Sequence, residues 1–120
     1  MKLLHILGRV ALGAPFIVMG WGAAAEPGRR VKAAEDFGVP EPQLAVRING
    51  GAMVAGGAAL AVGVPPRPAA TGLALALVPT TLAGHPFWKH DDPALKANHR
   101  IQFLKNLAMA GGLLAYATRD

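Results

Sequence analysis

The polar side chains best suited to chemistry lie at the edges of long apolar segments. Imidazole, ammonium, guanidinium and amide groups that converge at one depth can form a pocket for a polar ligand. The other interpretation is that the cations extend toward lipid headgroups, while the amide hydrogen-bonds to a neighbouring helix. The sequence leaves both interpretations open. The candidate polar pocket consists of Arg47, His85, His99, Lys105 and Asn106.

A second polar pair stands near the start of the chain. His5 and Arg9 are four residues apart, which places both on one face of a helix. A charge in the hydrocarbon of a membrane costs at least about 2.5–3.5 kcal/mol. Arg9 is therefore expected to face a bundle interior or to extend toward the headgroups, and the pair is a second candidate intramembrane site.

The sequence carries no pattern of a catalytic or metal centre. It contains four histidines and no cysteine. A bis-histidine haem needs ligands at matched depth, which leaves only His85 with His99, and no carboxylate is placed to complete a metal site. Nucleophile–base pairs, phosphate loops and dinucleotide motifs are missing too. We predict no catalytic residues, expect neither haem nor metal, and favour a chain without activity of its own over an enzyme.

Four stretches without Asp, Glu, Lys or Arg form the elements that position these residues. With a few flanking residues added to the first and last, each reaches the roughly 17–25 residues of a transmembrane helix. A soluble four-helix bundle would need a charged face on every helix, and these stretches have none. The predicted fold class is all-α, a four-transmembrane-helix bundle. The stretches are 10–25, 48–66, 69–88 and 106–118.

Proline, glycine and charged residues place the predicted helix ends. We predict membrane helices over about 3–25, 43–64, 69–87 and 99–117, in a single membrane domain that covers 1–120. Small residues recur at every fourth position from Gly51 to Gly63, which predicts close helix contact on that face. The amphipathic segment 30–37 predicts a short interfacial helix after the first span.

The number of spans decides which residues share a side of the membrane. An even number puts both termini on one side, called the terminal side here, and the loops 26–47 and 89–105 on the other, the loop side. Basic residues are more numerous on the loop side, which favours cytoplasmic loops. The first segment also resembles a secretion signal, but His5 and Arg9 within it favour its retention. We expect a multi-pass protein of the inner (cytoplasmic) membrane.

The net charge of +5 raises the question of a nucleic-acid partner. The basic residues form no stripe along one face, so nucleic acid is not predicted. In a membrane protein such an excess reflects topology and contact with anionic lipids. The predicted partner is the lipid bilayer, and a homo-oligomer stays open.

Short phrases along the chain form an ordered set. The late phrases are the most specific: 85–88 reads His-Pro-Phe-Trp and 103–107 reads Phe-Leu-Lys-Asn-Leu. The others are Arg9, Gly13, Phe16, Gly20, the phrase 37–40, Gly56, Gly57, Leu60, Gly63, Arg67 and 111–114. Together they resemble the DoxX family of small four-helix membrane proteins. That family often has a glutamate shortly before a glycine pair in the second span, whereas 52–55 reads Ala-Met-Val-Ala here.

The resemblance implies an association with redox functions. Relatives are linked to thiosulfate:quinone oxidoreductase, and mycobacterial members to a membrane complex with superoxide dismutase and a sulfurtransferase. We therefore expect a non-catalytic subunit or anchor that supports redox or thiol homeostasis with a redox-enzyme partner, near the quinone pool. Quinone is the one cofactor left open. The alternative is a small-molecule or ion carrier that uses the polar intramembrane pocket.

Overall fold

A computed structural model describes residues 2–119, and it is helical almost throughout. A single 3-10 turn, Phe87–Lys89, interrupts the last connection, and these residues include no strand. The predicted all-α class is confirmed. The helices are α1 (Lys2–Ala25), α2 (Arg29–Asp36), α3 (Pro42–Val62), α4 (Pro66–Gly84) and α5 (Pro93–Thr118).

Proline and glycine set the ends of α3 and α4. Both helices begin with proline, which suits the first turn because its missing N–H has no partner there. α3 ends at Val62, and Gly63 after it has a φ of 84°, the left-handed conformation of a helix C-cap. α4 ends at Gly84 because Pro86 disfavours a helical His85. The structure thus places α4 at 66–84, whereas the sequence predicted 69–87.

The fifth helix begins earlier than its predicted start at 99. Asp92 is its N-cap, and the Asp92 carboxylate accepts a hydrogen bond of 3.2 Å from the Ala94 N–H. Pro93 follows at the first helical position, where proline is favoured. The Asp-Pro pair was the local signal for this start. As a result, Lys96 and Arg100, which the sequence placed in the second loop or at its edge, lie in the first turns of α5.

The four long helices pack in series, each antiparallel to the next. α1 packs on α3, α3 on α4 and α4 on α5. α1 and α5 meet at the terminal side, where the rings of His5 and Tyr116 stack at 5.7 Å. Fully buried side chains fill the space between the helices, and the largest are Phe16, Leu60, Leu73, Leu77 and Leu113.

Glycines bring α1 and α3 into backbone contact. A Cβ added at Gly13 would lie 2.5 Å from the carbonyl oxygen of Gly57, and one at Gly20 would lie 2.6 Å from that of Gly50. Gly51 is exposed with no atom within 4 Å of an added Cβ. The small-residue face predicted from Gly51 to Gly63 does not make this contact, which uses Gly50 and Gly57 on a different face of α3.

Within residues 2–119, two helices, α1 and α3, are long and apolar enough to cross a membrane, and 18-residue stretches of them have mean hydropathies of 1.7 and 1.3. The first turn of α4 contains Arg67, between Pro66 and Pro68. The first half of α5 contains Lys96, Arg100 and Lys105. Both are consequently more polar at one end than α1 and α3. The structure thus gives two helices that meet this measure, whereas the sequence predicted four spans.

The short helix α2 lies against α3 and α4 on the loop side. Ala34 is buried and Val31 half-buried, while its charged residues are exposed. Lys32 and Asp36, one turn apart, form an ion pair of 2.6 Å on the exposed face. The predicted short helix at 30–37 therefore exists, shifted by one residue.

Candidate polar site on the loop side

Two of the candidate pocket residues, His85 and His99, contact each other. His85 follows the end of α4, and His99 lies in the second turn of α5. Their Nδ1 atoms are 3.2 Å apart, and the rings are half-buried. The pair joins the end of one helix to the start of the next, because the connection between them turns sharply at Pro86 and Pro93.

The protonation state of the two rings determines whether His85 and His99 attract or repel each other. One Nδ1 must donate and the other accept, so the contact holds only while at least one ring is neutral. Burial lowers the pKa of His85, and the charges of His99 and Lys105 lower it further. Both effects favour the neutral ring near pH 7, which is the form that preserves the hydrogen bond.

A third histidine, His90, completes this group. Its ring is parallel to that of His99, with centroids 4.4 Å apart. Next to it Phe87, Trp88 and Phe103 pack edge to face at 5.3–5.9 Å. These rings fix the turn against α5 and so hold the three imidazoles in place. Within residues 2–119, no three His, Cys, Asp or Glu side chains are arranged to hold a metal ion.

Asn106 lies deeper between α4 and α5. Its Nδ2 donates a hydrogen bond of 3.1 Å to Thr81 Oγ1, and both side chains are buried. They line a groove of about 170 Å³ whose other walls are apolar. The α4–α5 groove, as we call it, is lined by Ala74, Leu77, Val78, Thr81, Leu82, Phe103, Asn106, Leu107 and Ala110.

Lys105 and Arg47 take separate positions. Lys105 is exposed, near enough to His85 for its charge to act there. Arg47 donates a hydrogen bond of 2.9 Å to the carbonyl oxygen of Ala24 and so satisfies the end of α1. The structure therefore brings together His85 and His99, places Asn106 with Thr81, and directs Arg47 to α1.

Sequence reasoning missed several partners in and around this site. Asn49 was not among the candidate residues, yet its Nδ2 donates to Thr80 Oγ1 at 2.8 Å between α3 and α4. His90 was not a candidate residue either, although its ring stacks on that of His99. The signal in the sequence for Asn49 and His90 was weak. The partner of a polar residue in an apolar helix or a short loop depends on how the helices pack, which the local sequence does not specify.

The second candidate pair separates at the terminal side. His5 stacks on Tyr116, and two nitrogens of the Arg119 guanidinium approach the two ring nitrogens of His5 at 3.3 Å. A neutral imidazole accepts at one nitrogen, so one of these approaches is a hydrogen bond. Arg9 instead packs its guanidinium against Gly63, and its buried Nε has no partner within residues 2–119.

A comparison with protein families supplies one match. The family model described as DoxX matches residues 4–86, which is more than half of the chain. The matched segment contains α1 from its third residue, α2 to α4 and His85, but not α5, where His99, Lys105 and Asn106 lie. Searches of curated proteins and of solved structures gave no match.

Proposed function

Because the chain belongs to the DoxX family, we propose that it is a four-span, multi-pass protein of the inner membrane, organised as one membrane domain. Family membership and two apolar helices indicate a membrane protein in contact with the lipid bilayer. Large apolar side chains outside the core support spans for α4 and α5 as well, because a soluble protein would not expose them in such number. They are Leu75, Val78, Ile101, Leu104, Leu107 and Leu114.

We further propose that this protein is a non-catalytic subunit or anchor that supports redox or thiol homeostasis near the quinone pool. The chain has no cysteine, so any thiol step belongs to a partner. Family relatives with redox associations motivate the proposal, and the α4–α5 groove is the observation that carries it.

The groove suits a flat, apolar molecule with a carbonyl acceptor, as a quinone headgroup is. Its walls are apolar apart from the buried Asn106–Thr81 pair. Each amide side chain has two N–H donors, and Asn106 uses one on Thr81. The second is available to a quinone oxygen. Such a molecule reaches the site from the bilayer, because Val78 and Leu107 line the groove and are themselves exposed on the outer surface.

Purification from native membranes tests this proposal. We expect the protein, extracted in mild detergent, to elute with a redox enzyme and with quinone detectable by mass spectrometry. Asn106→Leu should lose the quinone because it removes both donors. Asn49→Leu is the matched control, since Asn49 also bonds to a threonine between helices but lies outside the groove.

Two outcomes would contradict the proposal. Quinone bound equally by wild type and Asn106→Leu would exclude the groove as its site. A lone oligomer that carries no quinone and catalyses solute flux in liposomes would favour the carrier alternative, which uses the polar residues along α5.

A further inference from the structure

We propose that the loop side carries a second site, a groove that binds the phosphate headgroup of an anionic phospholipid. This headgroup groove, of about 380 Å³, lies between α2, the end of α4, the turn at Phe87–Lys89 and the start of α5. It does not share the lining of the α4–α5 groove, and it requires only that the chain is a membrane protein. Its charged and titratable lining residues are Arg29, Lys32, Asp36, Lys89, His90 and His99.

The headgroup groove holds an excess of positive charge. Asp36 is its one acidic residue, and Lys32 neutralises it through the ion pair of 2.6 Å. Arg29 and Lys89 form no ion pair within residues 2–119. Two cations are thus left facing the same cavity, and an anion that enters it meets both of them.

The donor set matches a phosphate group. A guanidinium offers parallel N–H donors to two phosphate oxygens, and an ammonium adds a compact charge with three donors. The imidazoles of His90 and His99 line the same groove and are ordered by their parallel stacking. Arg29 enters from α2 and Lys89 from the turn, so they reach a bound group from different elements.

The surroundings favour a lipid headgroup over a free anion. Phe37 lines the headgroup groove and Trp88 precedes Lys89 in the turn, and these large aromatic side chains are 41% and 47% exposed. The ammonium of Lys89 lies 5.7 Å from the centroid of the Phe37 ring. Exposed aromatic side chains beside basic residues are typical of the membrane–water interface, where basic pockets between helices bind anionic lipids.

Native mass spectrometry of the detergent-purified protein tests the assignment. The probes are phosphatidylglycerol and phosphatidylcholine with identical chains, titrated separately. We expect wild type to retain phosphatidylglycerol preferentially. The double variant Arg29→Gln with Lys89→Gln should lose at least about tenfold in phosphatidylglycerol affinity, because each cation near a membrane surface contributes to anionic-lipid attraction. Its phosphatidylcholine affinity should fall less, because the choline cation of that lipid already offsets the phosphate charge and weakens its attraction to the two cations.

Two control variants separate the groove from general charge and from misfolding. Lys96→Gln with Arg100→Gln removes the same charge on the loop side, outside the groove, and should keep the preference. Arg29→Lys with Lys89→Arg retains the charges and should also keep it. An equal loss in both neutralising variants would overturn the proposal, as would loss in the charge-retaining variant.

A free anion is distinguished in a third arm. The protein, reconstituted in phosphatidylcholine nanodiscs, is titrated with inorganic phosphate and followed by its melting temperature. We expect no stabilisation at millimolar phosphate, because a free phosphate lacks the acyl chains that hold a lipid headgroup at the groove. Stabilisation that disappears in Arg29→Gln with Lys89→Gln would assign the groove to a soluble anion and overturn the lipid assignment.

Discussion

The α1–α3 and α4–α5 contacts both join antiparallel helices, but they are built differently. α1 and α3 approach until glycine backbones touch, with Gly13 against Gly57 and Gly20 against Gly50. α4 and α5 are held by side chains, with a buried Asn106–Thr81 hydrogen bond and a groove beside it. One contact leaves no room between the helices, and the other leaves a cavity.

This difference separates a structural contact from one that can hold a ligand. Helices in lipid gain little from burying apolar surface against each other, so they associate by close van der Waals packing or by polar bonds. The first solution, used by α1 and α3, fixes the backbones rigidly. The second, used by α4 and α5, keeps polar groups and space available for binding.

Gly57→Ala is expected to have the largest effect on stability, because it adds a methyl group to the α1–α3 contact, where the backbones already touch. The added Cβ would lie 2.7 Å from the Gly13 carbonyl oxygen, so the two helices must move apart. Overpacking of this kind costs about 1–3 kcal/mol. The melting temperature in detergent should fall. Gly51→Ala in the same helix is the control, since it meets no atom within 4 Å and gains up to about 1 kcal/mol in helix propensity. Equal shifts in the two variants would refute the glycine contact.

Breaking the polar pair between α4 and α5 should cost less. Asn106→Leu leaves Thr81 without its donor, and polar pairs in membrane bundles contribute about 0.6 kcal/mol on average and up to about 1.7. Thr81→Val alone should behave similarly. The double variant should lose less than the sum, because each single change already removes the same bond. Strictly additive losses in a chemical-denaturation series would contradict the pairing.

The histidine pair predicts acid sensitivity of the α4–α5 connection. The pKa of His85 is lowered in the folded protein, so the unfolded chain binds more protons near and below its ordinary value of about 6.5. Stability should therefore be constant above that pH and fall as the solution becomes more acidic. His85→Phe keeps a ring, removes the titrating nitrogens and should flatten the profile. An unchanged acid slope in melting curves from pH 8 to 5 would contradict this assignment.

Lys105→Met should produce the smallest change. The charge of Lys105 is one of the causes that lower the pKa of His85, so its removal moves that pKa toward the ordinary value. Less stability is then lost on acidification, and the melting temperature at pH 5 should rise slightly relative to wild type. Lys96→Met, an exposed lysine earlier in α5 that is not among the causes acting on His85, should leave the profile unchanged.

The helices themselves were largely predictable from the sequence, because their causes are local. Charge-free segments and helix-breaking residues act within a few positions, and the amphipathic pattern placed α2 to within one residue. The errors at α4 and α5 came from proline, which was treated as a terminator although 66 and 93 are first-turn positions. The candidate pairing of His85 with His99 also followed from matched depth.

The partners of most polar and small residues were decided only by the tertiary structure. Gly50 and Gly51 are adjacent in sequence, but successive residues point about 100° apart around a helix. Both faces of α3 carry small residues, so its composition does not choose between them. The position of Gly13 and Gly20 on α1 decides which face packs, because only residues without a side chain let the backbone of α3 approach so closely. Arg47 contacts α1 and His5 contacts α5 for the same reason. The partner of a side chain depends on which face of its helix packs against a neighbouring helix.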